Sequence, residues 1–172
     1  MDISMYDMSV TVFVDMLVAM RDWFDKLEAR AAESALIDAR LAPDMHPLPF
    51  QVQIATDSAI GFAAQMTGTR PPIFSTPNSS FAELKDRCDR SVAYLRSIDC
   101  DQLEAGLARE VVLSYPNGTG ARFPNGLYYF TILVLPNFFF HFSMAYAILR
   151  AHGIPVGKMD YIPHLAPYLM DT

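Results

Sequence analysis

Residues 127–149 read LYYFTILVLPNFFFHFSMAYAIL and contain no Asp, Glu, Lys or Arg. A stretch that is apolar on every side belongs to a helix at the centre of a bundle or inside a membrane. Asn137 and His141 stand in its middle, four residues apart and therefore on one helix face. An unsatisfied buried polar group costs about 1–3 kcal/mol, so this pair must meet partners, water or a ligand. The stretch reads as the core helix of an all-α, antiparallel four-helix bundle, with Asn137 and His141 at the floor of an internal pocket.

The rest of the chain supports a bundle over a membrane span. The stretch is long enough to cross a bilayer. Yet Pro136, Asn137, His141 and Ser143 interrupt it, no basic cluster sets an orientation, and three amphipathic helices elsewhere need its surface. In the first, from about Ser4 to Glu33, Phe13, Leu17, Met20, Phe24, Leu27 and Ala31 keep the helical rhythm of one buried face. The second opens at Pro47–Pro49, where proline fits a first turn, and runs to Thr67 with Gly68 as its C-cap. Leu48, Val52, Ala55, Ala59, Phe62 and Met66 form its stripe, with Gln53 and Asp57 at the edge. The third starts at Phe81 after the capping sequence Ser80-Phe81-Ala82-Glu83 and buries Phe81, Leu84, Cys88, Val92 and Leu95. A further turn is expected between Asp99 and Leu107.

Val111–Tyr115 is β-like, Pro116-Asn117-Gly118 is a turn signal, and residues 121–123 can pair back, which predicts a small β-hairpin before the last helix. That last helix follows Pro124-Asn125-Gly126, is expected to kink at Pro136, and ends at His152 with Gly153 as cap. The proline-rich tail after it is expected to wrap the surface. Asn117-Gly118-Thr119 and Asn78-Ser79-Ser80 match the glycosylation pattern but read as turn and cap chemistry.

The chain has 172 residues, enough for one domain with a large core, and no repeat or second domain is visible. A net charge of -6 with scattered Lys and Arg argues against a nucleic-acid partner, because phosphate binding needs a basic surface. Cys88 and Cys100 have no zinc or redox spacing and read as two reduced thiols. The start, MDISMYDMSV, lacks the basic segment of a secretory signal, which gives a cytoplasmic expectation.

LAPDMHPLPFQVQIATD (Leu41–Asp57) and LPNFFFHFSMAYAILRAHGIPVGKMDY (Leu135–Tyr161) resemble a bacterial and fungal family of unknown function in the DinB/YfiT-like superfamily of four-helix bundles. The opening ISMYDMSVTVFVDML is similar to it as well, so the resemblance covers nearly the whole chain. It implies the bundle fold and a homodimer, and an excess of apolar residues points to the same partner. Metal-binding members of the superfamily use three histidines, one on the second helix and an HxxxH pair on the last. The spacing from His141 to Leu149-Arg150 and Gly153 matches that pattern, which implies His141 as the second histidine of the pair and Asn137 in the place of the first. The second-helix position falls on or near Gln53, with Asp57 a turn later. Amides are poor ligands for Zn, Ni or Fe. No cofactor is therefore expected; were a metal held, His141 and His46 would be its ligands.

Each of these residues also has a plainer role. His141 can serve the core by bonding Asn137 or a tyrosine such as Tyr128 or Tyr146. Asn137 can satisfy backbone freed by Pro136, and Asp44 and His46 can cap the second helix. Gln51, Gln53 and Asp57 can form a polar network at the interhelical seam or face solvent. Two kinds of function follow. One is a metal-independent small-molecule enzyme of isomerase, cyclase or transferase type, with His141 as acid/base and Asn137 as orienter. The other is a non-catalytic ligand-binding or structural dimeric bundle. A metal-dependent enzyme with a degenerate triad stands behind both. Gln53, Asp57, Asp44, His46, Tyr128 and Tyr146 are the candidate ligand contacts.

Overall fold

The computed structural model of the protein describes residues 4–28, 33–74 and 80–170. Ala31, Asn78 and Ser79, singled out above, lie outside them. Four long helices carry the fold: α1 (Val12–Glu28), α3 (Leu48–Thr67), α4 (Phe81–Arg96) and α7 (Leu135–Ala151). Between them stand the short α2 (Glu33–Ile37), α5 (Cys100–Gly106), strands β1 (Val111–Ser114) and β2 (Gly120–Phe123), and α6 (Gly126–Tyr129). A final turn, α8 (Lys158–Tyr161), and a 3-10 helix, Pro163–Tyr168, close the described chain.

The apolar stripes dictate the packing. Phe13, Leu17, Met20, Phe24 and Leu27 of α1 are fully buried, as are Leu48, Val52, Ala55, Ala59, Phe62 and Met66 of α3. Burying each such side chain contributes roughly 1.5–3 kcal/mol, so neither helix is stable with its stripe uncovered. Helix α1 lies beside α4, α4 beside α3, and α3 beside α7. Aromatic rings close the circle from α7 to α1: Phe13 meets Phe138 at 4.6 Å between centroids, and Trp23 meets Phe142 at 4.7 Å.

The ends are set by local chemistry. The Ser80 hydroxyl accepts from Glu83 N–H at 3.2 Å to start α4, and the Asp99 carboxylate accepts from Gln102 N–H at 2.9 Å to start α5. Gly68 and Gly153 stop α3 and the last helix at φ 73° and 78°, a backbone region that a Cβ disfavours. The hairpin pairs Val111 with Phe123 and Ser114 with Gly120 in antiparallel register. Its turn is closed by Gly118 N–H donating to Tyr115 O, and the Asn117 side chain accepts from Thr119 N–H and hydroxyl. The Asn117 glycosylation match is therefore turn chemistry.

Pro136 leaves the carbonyl one turn before it without an amide. A π turn, Phe130–Val134, stands immediately N-terminal to Leu135-Pro136, and Leu135 N–H reaches back five residues to Phe130 O. Helical structure is thus unbroken from Gly126 to Ala151. Among the described residues this is the one helix long and apolar enough to cross a membrane by length and composition, and 33% of its apolar window is buried in the bundle. Tyr128, Ile132 and Phe140 are exposed along it.

The tail does more than wrap the surface. Val156 is fully buried, Trp23 Nε1 donates to Asp160 O at 2.8 Å, and Lys26 pairs with the Asp160 carboxylate at 2.6 Å. Cys88 and Cys100 are both free thiols, and burial pushes the Cys88 thiol up to about 12.

Candidate functional site

The residues expected to share one pocket divide between two adjacent sites on the α3–α7 seam. The first lies at the start of α3. Pro47 occupies the cap position and no side chain caps the helix, so Asp44 and His46, both exposed, do not act as caps. Instead the Gln51 side chain, 2% exposed, donates from Nε2 to His46 O at 2.8 Å. Its Oε1 lies 2.7 Å from His141 Nδ1, which fixes that nitrogen as the protonated one in the neutral ring. Phe50 stacks on His46 at 3.8 Å and meets the His141 ring edge-on at 6.0 Å. Burial first, then the nearby His46, holds the His141 pKa below the ordinary imidazole value.

The helix-two partner of His141 is therefore Gln51, two residues before Gln53. Gln53 instead hydrogen-bonds the Asp57 carboxylate, a turn later on the same helix. Both glutamines border the buried stripe, and only the packing of α7 decides between them.

The second site is a cavity of about 350 Å³ where the hairpin leans over the seam. Ile54, Asp57 and Ser58 of α3, Leu133, Val134 and Asn137 around the π turn, and Leu113, Tyr115 and Tyr129 line it. Asn137 Nδ2 donates to Ser58 Oγ at 2.8 Å, and that hydroxyl passes its own proton to Ile54 O at 2.7 Å. Asn137 so bonds α3 across the seam and not the backbone freed by Pro136. Its Oδ1 has no hydrogen-bond partner among the described residues. Neither has the hydroxyl of Tyr129, a residue only 8% exposed. Burial, with Tyr115 second, raises the Tyr129 phenol above its usual range.

Behind the cavity wall lies an ion pair. Arg87 of α4 pairs through Nη2 with Asp57 and donates from Nε to Thr56 Oγ1 at 2.6 Å. The guanidinium is 3% exposed and covered by the Phe74 ring at 4.3 Å, while the Asp57 side chain is 42% exposed. Burial pushes the Asp57 carboxyl upward against the opposing pull of Arg87, and burial lowers Arg87. Arg87 and Tyr129 escaped the sequence reading. Arg87 stands beside Cys88 on the stripe of α4, where a cation reads as snorkelling. Tyr129 stands beside Tyr128, which was preferred but is exposed. Tyr146 belongs elsewhere: it packs on Trp23 and Tyr161 and donates to Val156 O at 3.3 Å.

The donor set does not fit a transition metal. His141 gives its Nδ1 to Gln51, the neighbouring groups are the neutral amides of Gln51 and Asn137, and Asn137 is bonded to Ser58. Among the described residues no three His, Cys, Asp or Glu side chains converge as a cage.

The four-helix bundle with its small antiparallel hairpin is a DinB-like fold. The 1.83 Å crystal structure of a DinB family member protein from Shewanella denitrificans matches with TM-score 0.80 and 32% identity, over 92% of this chain and 91% of that one. The chain belongs to the DUF1993 family, described as a domain of unknown function, whose model matches residues 5–162. No curated protein matches the sequence.

Proposed function

We propose that the protein binds a small organic molecule, without a metal, in the cavity beneath the hairpin. One observation carries this reading: Tyr129, a residue 8% exposed, lines the cavity, and its hydroxyl has no hydrogen-bond partner among the described residues. Tyrosine hydroxyls in cores normally find one, and leaving it unmade costs about 1–3 kcal/mol. The open Oδ1 of Asn137 in the same cavity supports the reading. Two-dimensional NMR against a general fragment set tests it. Hits should shift Tyr115, Tyr129 and Asn137 together; a set that leaves all three unmoved overturns it.

Acid–base catalysis is the second reading, favoured by His141: its Nδ1 is anchored on Gln51 and its Nε2 has no hydrogen-bond partner among the described residues. His141 does not line the cavity, however, so a binding role makes cavity affinity insensitive to His141→Phe. Loss of that affinity in His141→Phe would bring His141 within reach of the occupant, as the catalytic role requires.

The amide donors support a protein with less than one equivalent of Zn, Ni or Fe per chain after purification. Elemental analysis finding one equivalent that is lost in His141→Ala would revive a metalloenzyme. The exposed apolar face of the last helix, with Ile132 and Phe140, supports a homodimer. Light scattering showing a monomer at micromolar concentration would contradict that partner.

A further inference from the structure

The polar groups of the cavity under the hairpin are sorted by kind. Helices α3 and α7 contribute Asp57 and Asn137, whose side-chain oxygens can accept; the end of β1 and α6 contribute two tyrosines, Tyr115 and Tyr129, whose hydroxyls can donate. The Ser58 hydroxyl is already engaged, accepting from Asn137 and donating to Ile54 O. Ile54, Leu133 and Val134 make the remaining wall apolar. At about 350 Å³ the space is at the small end of ligand pockets, which run from about 300 Å³ upward.

Charge narrows the occupant further. Among the described residues no Arg, Lys or His lines the cavity, and its one formal charge is Asp57. An anion entering it would meet a carboxylate and no cation, since Arg87 is turned away and held by Asp57 and Thr56. A cation would lose its hydration to face a carboxylate already matched by Arg87, and a desolvated ion needs an unmatched partner. A neutral group faces neither cost. A carbonyl oxygen can accept from the tyrosine hydroxyls, and an N–H can donate to Asn137 Oδ1 or Asp57.

Resting on the binding reading, we infer that the cavity takes a small uncharged ligand bearing an amide or lactam, its carbonyl toward Tyr115 and Tyr129 and its N–H toward Asn137 and Asp57. An ester or ketone would satisfy half of these groups, and a carboxylate or amine of the same size would be excluded by charge.

Benzamide, benzoate and benzylamine share a ring and nearly a size, and differ in charge. Titrating each into the full-length protein, with the cavity residues followed by NMR, should give benzamide at least about tenfold tighter than the other two, a difference of about 1.4 kcal/mol. Tyr129→Phe, which removes one oxygen, should weaken benzamide by about tenfold. Tyr115→Phe at the more exposed position should weaken it less, with the dispersed spectrum of the wild type retained in both. Benzoate or benzylamine equalling benzamide, or benzamide not binding while other fragments fill the cavity, overturns the ligand class and leaves the binding reading standing. A cavity silent to the three probes and to the general fragment set overturns both.

Discussion

The last long helix packs against two aromatic clusters that are finished differently. At its C-terminal end Trp23, Phe142, Tyr146 and Tyr161 interlock, and every polar atom has a partner. Trp23 Nε1 meets Asp160 O at 2.8 Å, the Tyr161 hydroxyl meets Ser143 Oγ at 2.8 Å, and the Tyr146 hydroxyl reaches Val156 O at 3.3 Å. At the other end Phe62, Phe123 and Tyr129 pack nearly as closely, yet Tyr129 lines a cavity and its hydroxyl has no partner among the described residues. Both clusters are packed aromatic rings that carry tyrosine hydroxyls. The difference lies in which one the protein completes alone, and the proposed ligand site rests on that difference.

Breaking the finished cluster should have the largest effect. Trp23→Ala removes a fully buried ring and the bond that ties down the tail, and is expected to cost about 3–5 kcal/mol in chemical denaturation. A loss below 1 kcal/mol would mean that the tail and the α1–α7 seam are not coupled through this residue.

Arg87→Met strikes between the clusters. It leaves Thr56 without its donor and Asp57 without its cation, but the half-exposed Asp57 can hydrate, so a loss of about 2 kcal/mol is expected, below that of a fully buried pair. Unchanged stability would show that Arg87 is replaceable by packing alone.

A smaller effect comes from His141 and depends on pH. Its folded pKa lies below the ordinary value of 6.5, so the unfolded chain takes up the proton at higher pH than the folded one. Its contribution is intact above that value and is lost as pH falls through 6.5 toward the folded pKa. The wild type should therefore lose stability relative to His141→Gln as pH falls below about 6.5. Two parallel curves would place His141 in an ordinary, solvated setting.

The bundle was legible because burial at helical period leaves a repeat in the sequence. The stripes of α1, α3 and α4, the Ser80 cap and the glycines at 68 and 153 each rest on local chemistry. The first cluster was not legible: Trp23 stands beside the α1 stripe, Tyr146 was expected at the pocket, and Tyr161 lies in a tail expected to wrap the surface. The second cluster was likewise less legible because its partners are remote. Gln51 and Gln53 both border one stripe, and the choice of His141's partner comes from a helix 90 residues away. Tyr128 and Tyr129 are adjacent letters that a helix turns about 100° apart, one outward and one inward. Asn137 was found because a polar residue in an uncharged 23-residue run stands out. The Asp57–Arg87 pair joins two helices across 30 residues and leaves no local trace.

The central claim is that Tyr129 and Asn137 are kept for a ligand at the expense of stability. The double variant Asn137→Leu/Tyr129→Phe, melted beside the wild type and titrated with the best cavity ligand, tests it most directly. Removing the unpartnered Tyr129 hydroxyl and Asn137 Oδ1 should offset the loss of the Asn137–Ser58 bond and leave the melting temperature equal or higher, while ligand binding disappears. A double variant that melts clearly lower and still binds would assign both residues to the core and contradict the account.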